Sequence, residues 1–161
     1  MHVAVWQAAY RGLLPDALLD GLSVDRRERM WSETLRAYAD THPVVVAEDA
    51  AIGICGFGNG GSPRGDPVPG YTGEFKTLYV LPRCQRRGIG RGLLVGIAAR
   101  LADRGHVGAV AWALTASPAC HFYEAMGGVR CAQRTQQEEG MNVEEFAYGW
   151  SDLRALVQRT A

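Results

Sequence analysis

Apolar residues recur along this chain in blocks that alternate between helical and strand-like spacing. Val3, Trp6, Tyr10 and Leu13 fall on one helical face, and Pro15 ends or bends that helix. A second helix is expected from about Asp25, with Glu28 three residues on as a capping-box partner. Met30, Trp31, Thr34, Leu35 and Tyr38 then repeat at helical spacing. Val44 to Ala47 is short and β-branched, which predicts a strand. Glu48 to Ala50 reads as a hairpin turn, and Ile52 to Phe57 as the return strand. Gly58 to Gly70 is rich in glycine and proline and is expected to be a surface loop. Thr72 to Leu81 reads as a third strand, stopped by Pro82, which has no N–H for the ladder.

The segment after Gly90 is the clearest helix. Leu93, Leu94, Ile97, Ala98, Leu101 and Ala102 share one face, and Gly105 stands where a C-terminal cap belongs. His106 to Leu114 is strand-like. Pro118 to Met126 predicts a short helix that stops at Gly127-Gly128. Two strands close the pattern, near Val129–Gln136 and Val143–Trp150, with Phe146, Tyr148 and Trp150 alternating onto one face of the second. A hairpin followed by strand–helix–strand predicts an α/β (α+β) fold, a mixed sheet with helices on both faces.

Composition narrows the picture. At 161 residues the chain is expected to be one domain over its whole length, and 47% hydrophobic residues supply a core without metal or disulfide. Seventeen basic residues balance 17 acidic ones, which argues against nucleic acid or an anionic membrane as main partner. The longest apolar stretch, Leu93 to Leu101, is too short for a membrane span, and no secretory signal is visible. Cys55, Cys84, Cys120 and Cys131 are widely spaced, as expected of reduced thiols in a cytoplasmic protein. His2, His42, His106 and His121 show no metal spacing, so no metal is expected.

The strongest chemical signal is the run from Arg83 to Gly92, between a predicted strand and a predicted helix. Glycine lets backbone approach a ligand, and free N–H groups at a helix start favour an anion. Arg86, Arg87 and Arg91 add positive charge at the same place. A plain turn with a solvated basic face is the simpler alternative. Nucleotide motifs fail here: no lysine supplies a P-loop, and Leu93 occupies the last glycine position of a dinucleotide fingerprint.

Gln85-x-x-Gly88-x-Gly90, following Leu78-Tyr79-Val80, resembles the acyl-CoA signature of the GNAT acetyltransferase superfamily. Ser117 to Gly128 resembles that family's N-x-x-A-x-x-F-Y-x-x-x-G segment. The opening Trp6-x-x-Ala9-Tyr10-x-Gly12-Leu13-Leu14-Pro15 and the closing Tyr148-Gly149-Trp150 are similar to one large bacterial branch. The resemblance implies a mostly antiparallel mixed sheet flanked by helices. Two features depart from the pattern. Met1 stands almost at the first helix, so the family's first edge strand is missing, and Ser117 replaces the usual Asn.

The implied reaction is transfer of an acetyl group from acetyl-CoA, the acyl donor, to a primary amine of a small molecule or protein, by direct attack in a ternary complex. The resemblance assigns Leu78, Tyr79, Val80, Gln85, Arg86, Arg87, Gly88, Gly90, Arg91 and Ser117 to the donor. It places a backbone bulge within Leu78–Val80 whose freed groups would pair with the pantetheine arm. Tyr123 is expected as general acid to the leaving sulfur. An amine with a pKa of about 10.4 needs a base, and Glu74 is the candidate, expected to face the same side as Leu78 four residues on. Tyr10 and Trp31 are candidates for the acceptor wall, with helix-to-core packing as the alternative. Homodimers are common in the family, so a homodimer is one expected state. The competing functions are a non-catalytic acyl-CoA binding or sensing module on the same fold, and a nucleotide-binding protein.

Overall fold

The computed structural model describes residues 1–138 and 141–159. Among these residues there are six α-helices, α1 (His2–Ala9), α2 (Asp16–Asp20), α3 (Val24–Tyr38), α4 (Ile89–Asp103), α5 (Ala119–Ala125) and α6 (Leu153–Gln158). The strands are β1 (Val44–Asp49), β2 (Gly53–Gly61), β3 (Gly73–Val80), β4 (Ala109–Leu114), β5 (Val129–Glu138) and β6 (Met141–Trp150). They form one sheet in the order β1-β2-β3-β4-β6-β5, antiparallel except for the β3–β4 pair. No strand precedes α1 among the described residues, so β1 is an edge.

Helix α4 lies across β1, β2 and β3 and supplies the main core. Leu94, Ile97, Ala98 and Leu101 are fully buried, and Leu93 nearly so. Burying a leucine or isoleucine of this kind contributes roughly 2 kcal/mol. The same layer holds Phe75, Tyr148 and Trp150 from the sheet, Tyr123 from α5, and Leu153 and Leu156 from α6. Helices α1 and α3 lie on the opposite face, against Phe57 and Tyr79.

Several expectations are corrected. The first helix ends at Ala9, not near Leu13, because Gly12 takes φ 81° and Pro15 starts a separate short helix. The cap of α3 is Ser23, whose Oγ accepts from the Arg26 N–H, rather than an Asp25/Glu28 box. Gly58 to Gly61 is strand, not loop. A Cβ at Gly58 would stand 2.7 Å from Ile97 Cδ1 and 2.7 Å from the Thr77 carbonyl, so these glycines let α4 sit close on β2. Strand β4 begins at Ala109 rather than His106. Helix α6 was not expected from the pattern, although Asp152 caps it by accepting from the Ala155 N–H at 2.9 Å.

The bulge also moves. From Val80 back to Thr77, β3 pairs with Gly56 to Asn59 in unbroken register. The shift comes next: Thr77 faces Asn59, but Phe75 faces Gly60, which leaves Lys76 as the extra residue. The bulge is therefore at Lys76, not within Leu78–Val80. One extra residue inverts side-chain parity, so Glu74 does not share a face with Leu78. It lies on the side of Thr77 and Tyr79, opposite Gly61, while Phe75 joins the α4 core.

Candidate active site

The turn entering α4 is shaped by backbone that side chains rarely adopt. Arg86 has φ 61° and Gly88 has φ 82°, and Gly88 is the N-cap of α4. No side chain caps this end, and no acidic residue stands in its first turn. The first N–H groups of a 15-residue helix therefore point outward with its positive dipole end. Gln85 steadies the approach by donating from Nε2 to the Val80 carbonyl at 3.1 Å. Gly90 lies against the Phe122 ring, where a Cβ would come within 3.3 Å. Arg86, Arg87 and Arg91 are exposed around the turn. Arg87 is drawn sideways to Asp49 at 3.3 Å. The Asp49 carboxyl is held below its ordinary range, first by the Ala51 N–H and further by Arg87.

Beside this turn the sheet forks. The parallel strands pair only from Gly73 with Ala109 to Phe75 with Ala111. The bulge at Lys76 follows at once, and beyond it β3 and β4 run on to Val80 and Leu114 without pairing each other. Leu78, Tyr79 and Val80 thus carry one wall of an open wedge, unpaired on the β4 side by any strand, with the Val80 carbonyl taken by Gln85. Ser117 stands past the other wall, in a turn closed by its N–H to the Leu114 carbonyl at 2.8 Å. Its Oγ accepts from the Ala119 N–H at 3.2 Å, which steadies the start of α5. Ser117 also lines a cavity of about 320 Å³ with His121, Glu124, Arg130 and Tyr148.

Two phenols, Tyr10 and Tyr79, meet beside this wedge, and Tyr123 lies in the core with Tyr148 and Trp150. Tyr123, from α5, is 7% exposed. Burial pushes its hydroxyl well above the ordinary phenol range, with Tyr10 adding to the effect. Tyr79, from β3, is raised for the same first reason, with Tyr10 and Tyr123 both contributing. Its oxygen accepts from Trp6 Nε1 at 2.9 Å and lies 3.4 Å from the Tyr10 hydroxyl. The Tyr79 and Tyr123 hydroxyls are therefore protonated at neutral pH.

The other predicted residues divide. Tyr10 belongs to the phenol group. Trp31 donates from Nε1 to His2 Nδ1 at 2.9 Å and packs edge-on against Phe57. Glu74 is fully buried, and both its oxygens are engaged by Arg64: the backbone N–H at 2.7 Å on Oε2, and Nε and NH2 at 2.8 Å on Oε1. His2, Phe57 and Arg64 are site neighbours that the pattern did not single out, whereas Trp6 stands in the opening motif. Only the His2–Trp6 ring contact, four residues apart on one helix, had a local signal. Burial, aided by Arg27 and the N-terminal ammonium, lowers His2 to about 4, so it is neutral and can accept from Trp31.

With this geometry in place, comparison with known proteins is informative. Residues 40–127 match the model of the family described as acetyltransferase (GNAT) domain. The chain is 32% identical over 157 residues to a Bacillus subtilis (strain 168) protein named uncharacterized N-acetyltransferase YuaI, covering 97% of this chain and 87% of that one. Among solved structures, ribosomal-protein-alanine N-acetyltransferase from Brucella melitensis superposes with TM-score 0.66 at 19% identity, covering 92% of this chain and 91% of that one. The PaiA N-acetyltransferase from Thermoplasma acidophilum, solved in complex with coenzyme A, superposes with TM-score 0.62 at 14% identity, covering 89% and 86%.

Proposed function

Since the chain belongs to the GNAT acetyltransferase family and is an acyltransferase of that family, we propose that it moves an acetyl group from acetyl-CoA to a primary amine by direct attack in a ternary complex. The observation that carries this reading is the uncapped start of α4, rimmed by exposed arginines and set beside the open β3–β4 fork. An anionic diphosphate fits the first part: outward N–H groups, two residues in left-handed backbone, and the arginines Arg86 and Arg91. Arg87 assists by way of its tie to Asp49, which holds the turn. Gln85, Gly88 and Gly90 shape the turn. Backbone groups of Leu78, Tyr79 and Val80 supply partners for an extended amide-bearing arm in the fork. Ser117 retains its O–H to donate from the opposite side.

Tyr123 protonates the leaving sulfur. A thiol has a pKa of about 8.5, well below a buried phenol, so the transfer would be uphill if only the phenol were shifted. The dry surroundings that raise Tyr123 raise a thiol there by the same desolvation, which narrows the gap. The amine approaches from the side of Tyr10 and Trp31. Glu74 acts as its base only if Arg64 lets go of the carboxylate, since both oxygens are engaged. With Glu74 held by Arg64, water is left to take the amine proton.

We place the protein in the cytoplasm as one domain over residues 1–161, with an amine acceptor as partner, a homodimer as one assembly, and neither nucleic acid nor membrane. No helix among the described residues is long and apolar enough to cross a membrane. Purified protein given acetyl-CoA and a panel of amines is expected to release free thiol. Tyr123→Phe should keep acetyl-CoA binding, read as a rise in Tm, and lose about 10²-fold in kcat. Unchanged kcat in that variant removes the acid assignment. Binding of acetyl-CoA with no thiol release to any amine returns the non-catalytic module.

A further inference from the structure

A second cavity, of about 390 Å³, opens on the sheet face opposite α4. Its walls are the loop of residues 64–69 on one side and Trp112, Ala132 and Arg134 on the other. Ala111 and Ala113 belong to the α4-side core, so Trp112 between them lies on the opposite face. The last β3–β4 pair is Phe75 with Ala111, which makes Trp112 the first β4 residue beyond the closed end of the fork. A donor entering from the turn that follows Val80 comes in at the open end. Its acyl end therefore arrives beside this cavity, on the face that also carries Tyr79.

Two guanidinium groups line the cavity, and each is fixed. Arg134 lies over the Trp112 ring at 4.0 Å and gives Nε and NH2 to Glu145 Oε2 at 2.8 and 2.7 Å. Arg64 gives Nε and NH2 to Glu74 Oε1, both at 2.8 Å, and NH2 also reaches the Lys76 carbonyl at 3.3 Å. In both pairs the carboxylate is the more buried partner, so the guanidinium is the group that meets the cavity. In both, NH1 has no hydrogen-bond partner among the described residues. Arginine presents five N–H donors in a rigid fork, and here part of each fork is left over. Because Glu74 and Glu145 balance the two cations, the cavity offers directed donors more than surplus charge. That suits a single carboxylate better than a phosphate. Asp66, the one acid among the lining residues, opposes a second anionic group.

We propose that this cavity seats the acceptor, and that the acceptor is a primary amine bearing a carboxylate, gripped by Arg64 and Arg134 while its nitrogen faces the fork. This rests on the reading of the chain as an acetyl-CoA-dependent transferase. The chemistry balances as before: a nitrogen–carbon bond forms, the carbon–sulfur bond breaks, and one proton passes from nitrogen to sulfur.

The test measures thiol release with glycine, 4-aminobutyrate and 6-aminohexanoate, each beside its own carboxamide and a diamine of similar length, with rates expressed per unprotonated amine. At the best-fitting length the acid should exceed its carboxamide by about 30-fold in kcat/KM. Arg134→Gln combined with Glu145→Gln removes the guanidinium without leaving a buried carboxylate unpaired. It is expected to cut that ratio to about threefold through a higher KM for the acid, while acetyl-CoA still raises its Tm. Arg134→Lys, which keeps the charge but loses the fork, should fall between. If the double variant does not fold, hexanoate serves: it should raise the acid's KM in wild type, and hexanamide should not. Carboxamides or diamines used as well as the acids overturn this inference and leave acetyl transfer standing. So does a ratio that survives in the folded double variant. Acetyl-CoA binding with no thiol release to any amine overturns the transferase reading and the acceptor assignment with it.

Discussion

The two faces of the sheet are built by different means. On the α4 face the contacts are apolar and close: Leu93, Leu94, Ile97 and Leu101 are buried against a strand whose glycines bring helix and sheet together. On the opposite face α3 buries no residue, and the contacts are polar or aromatic. There Glu74 is tied to Arg64, Thr77 donates to Asn59 at 2.6 Å, and His2, Trp6, Trp31, Phe57 and Tyr79 pack as a group of edge-on and tilted rings. The first construction is rigid, because close-packed interiors do not deform gradually. It holds the turn at the start of α4, where we place the diphosphate of the acyl donor. The second can be altered one side chain at a time, and it is the face on which we place the acceptor.

The largest expected effect tests the rigid face. Valine has a higher strand propensity than glycine, so on a tolerant strand Gly58→Val would stabilise. Here its Cβ meets Ile97 and the backbone of Thr77, and a carbonyl cannot swing aside as a side chain can. Gly58→Val is expected to cost about 3 kcal/mol by denaturant unfolding. A neutral or stabilised variant would mean that α4 can lift off, and the contrast between the faces would fail.

Arg64→Ala tests the polar face and ranks second. Removing one partner of a buried ion pair costs about 3–5 kcal/mol when the remaining charge stays dry. The Arg64 side chain is 57% exposed, so water can enter where it stood, and the expected loss falls to about 2 kcal/mol. Glu74→Gln should cost less, because an amide tolerates burial better than an unpaired carboxylate. Equal losses in the two variants would show that the pair holds the Arg64 loop by shape and not by charge.

These two faces were unequally legible in the sequence, for a physical reason. The turn proposed for the donor is local: Gln85, Gly88 and Gly90 fall within six consecutive residues. Tyr123 is assigned in the same way, from its place in a short motif, and its role stays part of the proposal. The opposite face is made by partners far apart in the chain. Trp6 and Tyr79 are 73 residues apart, and His2 and Trp31 are 29 apart. No local pattern announces such pairs. The glycines of β2 misled because composition alone cannot distinguish a loop glycine from one beneath a helix. Lys76 misled because a bulge without glycine or proline leaves no mark, and that one residue was enough to put Glu74 on the wrong face.

The smallest effect sharpens the comparison through pH. His2 is about 6.5 when unfolded and about 4 in the fold, so the folded state disfavours its charged form. The sign follows from proton counts. Between these values the unfolded chain binds the proton and the folded one does not, so stability falls as pH drops from about 6.5 toward 4, and is fully present above 6.5. The ring is only partly buried, and screening by water reduces the contribution to about 1 kcal/mol. His2→Phe, which cannot titrate, should therefore flatten part of the stability loss over that interval while giving up the Trp31 hydrogen bond at every pH. The α4 face carries no histidine in its core, so a probe there should follow the same curve only through global unfolding. If His2→Phe leaves the slope unchanged, the lowered histidine is not coupled to folding, and the aromatic group is looser than the contacts indicate.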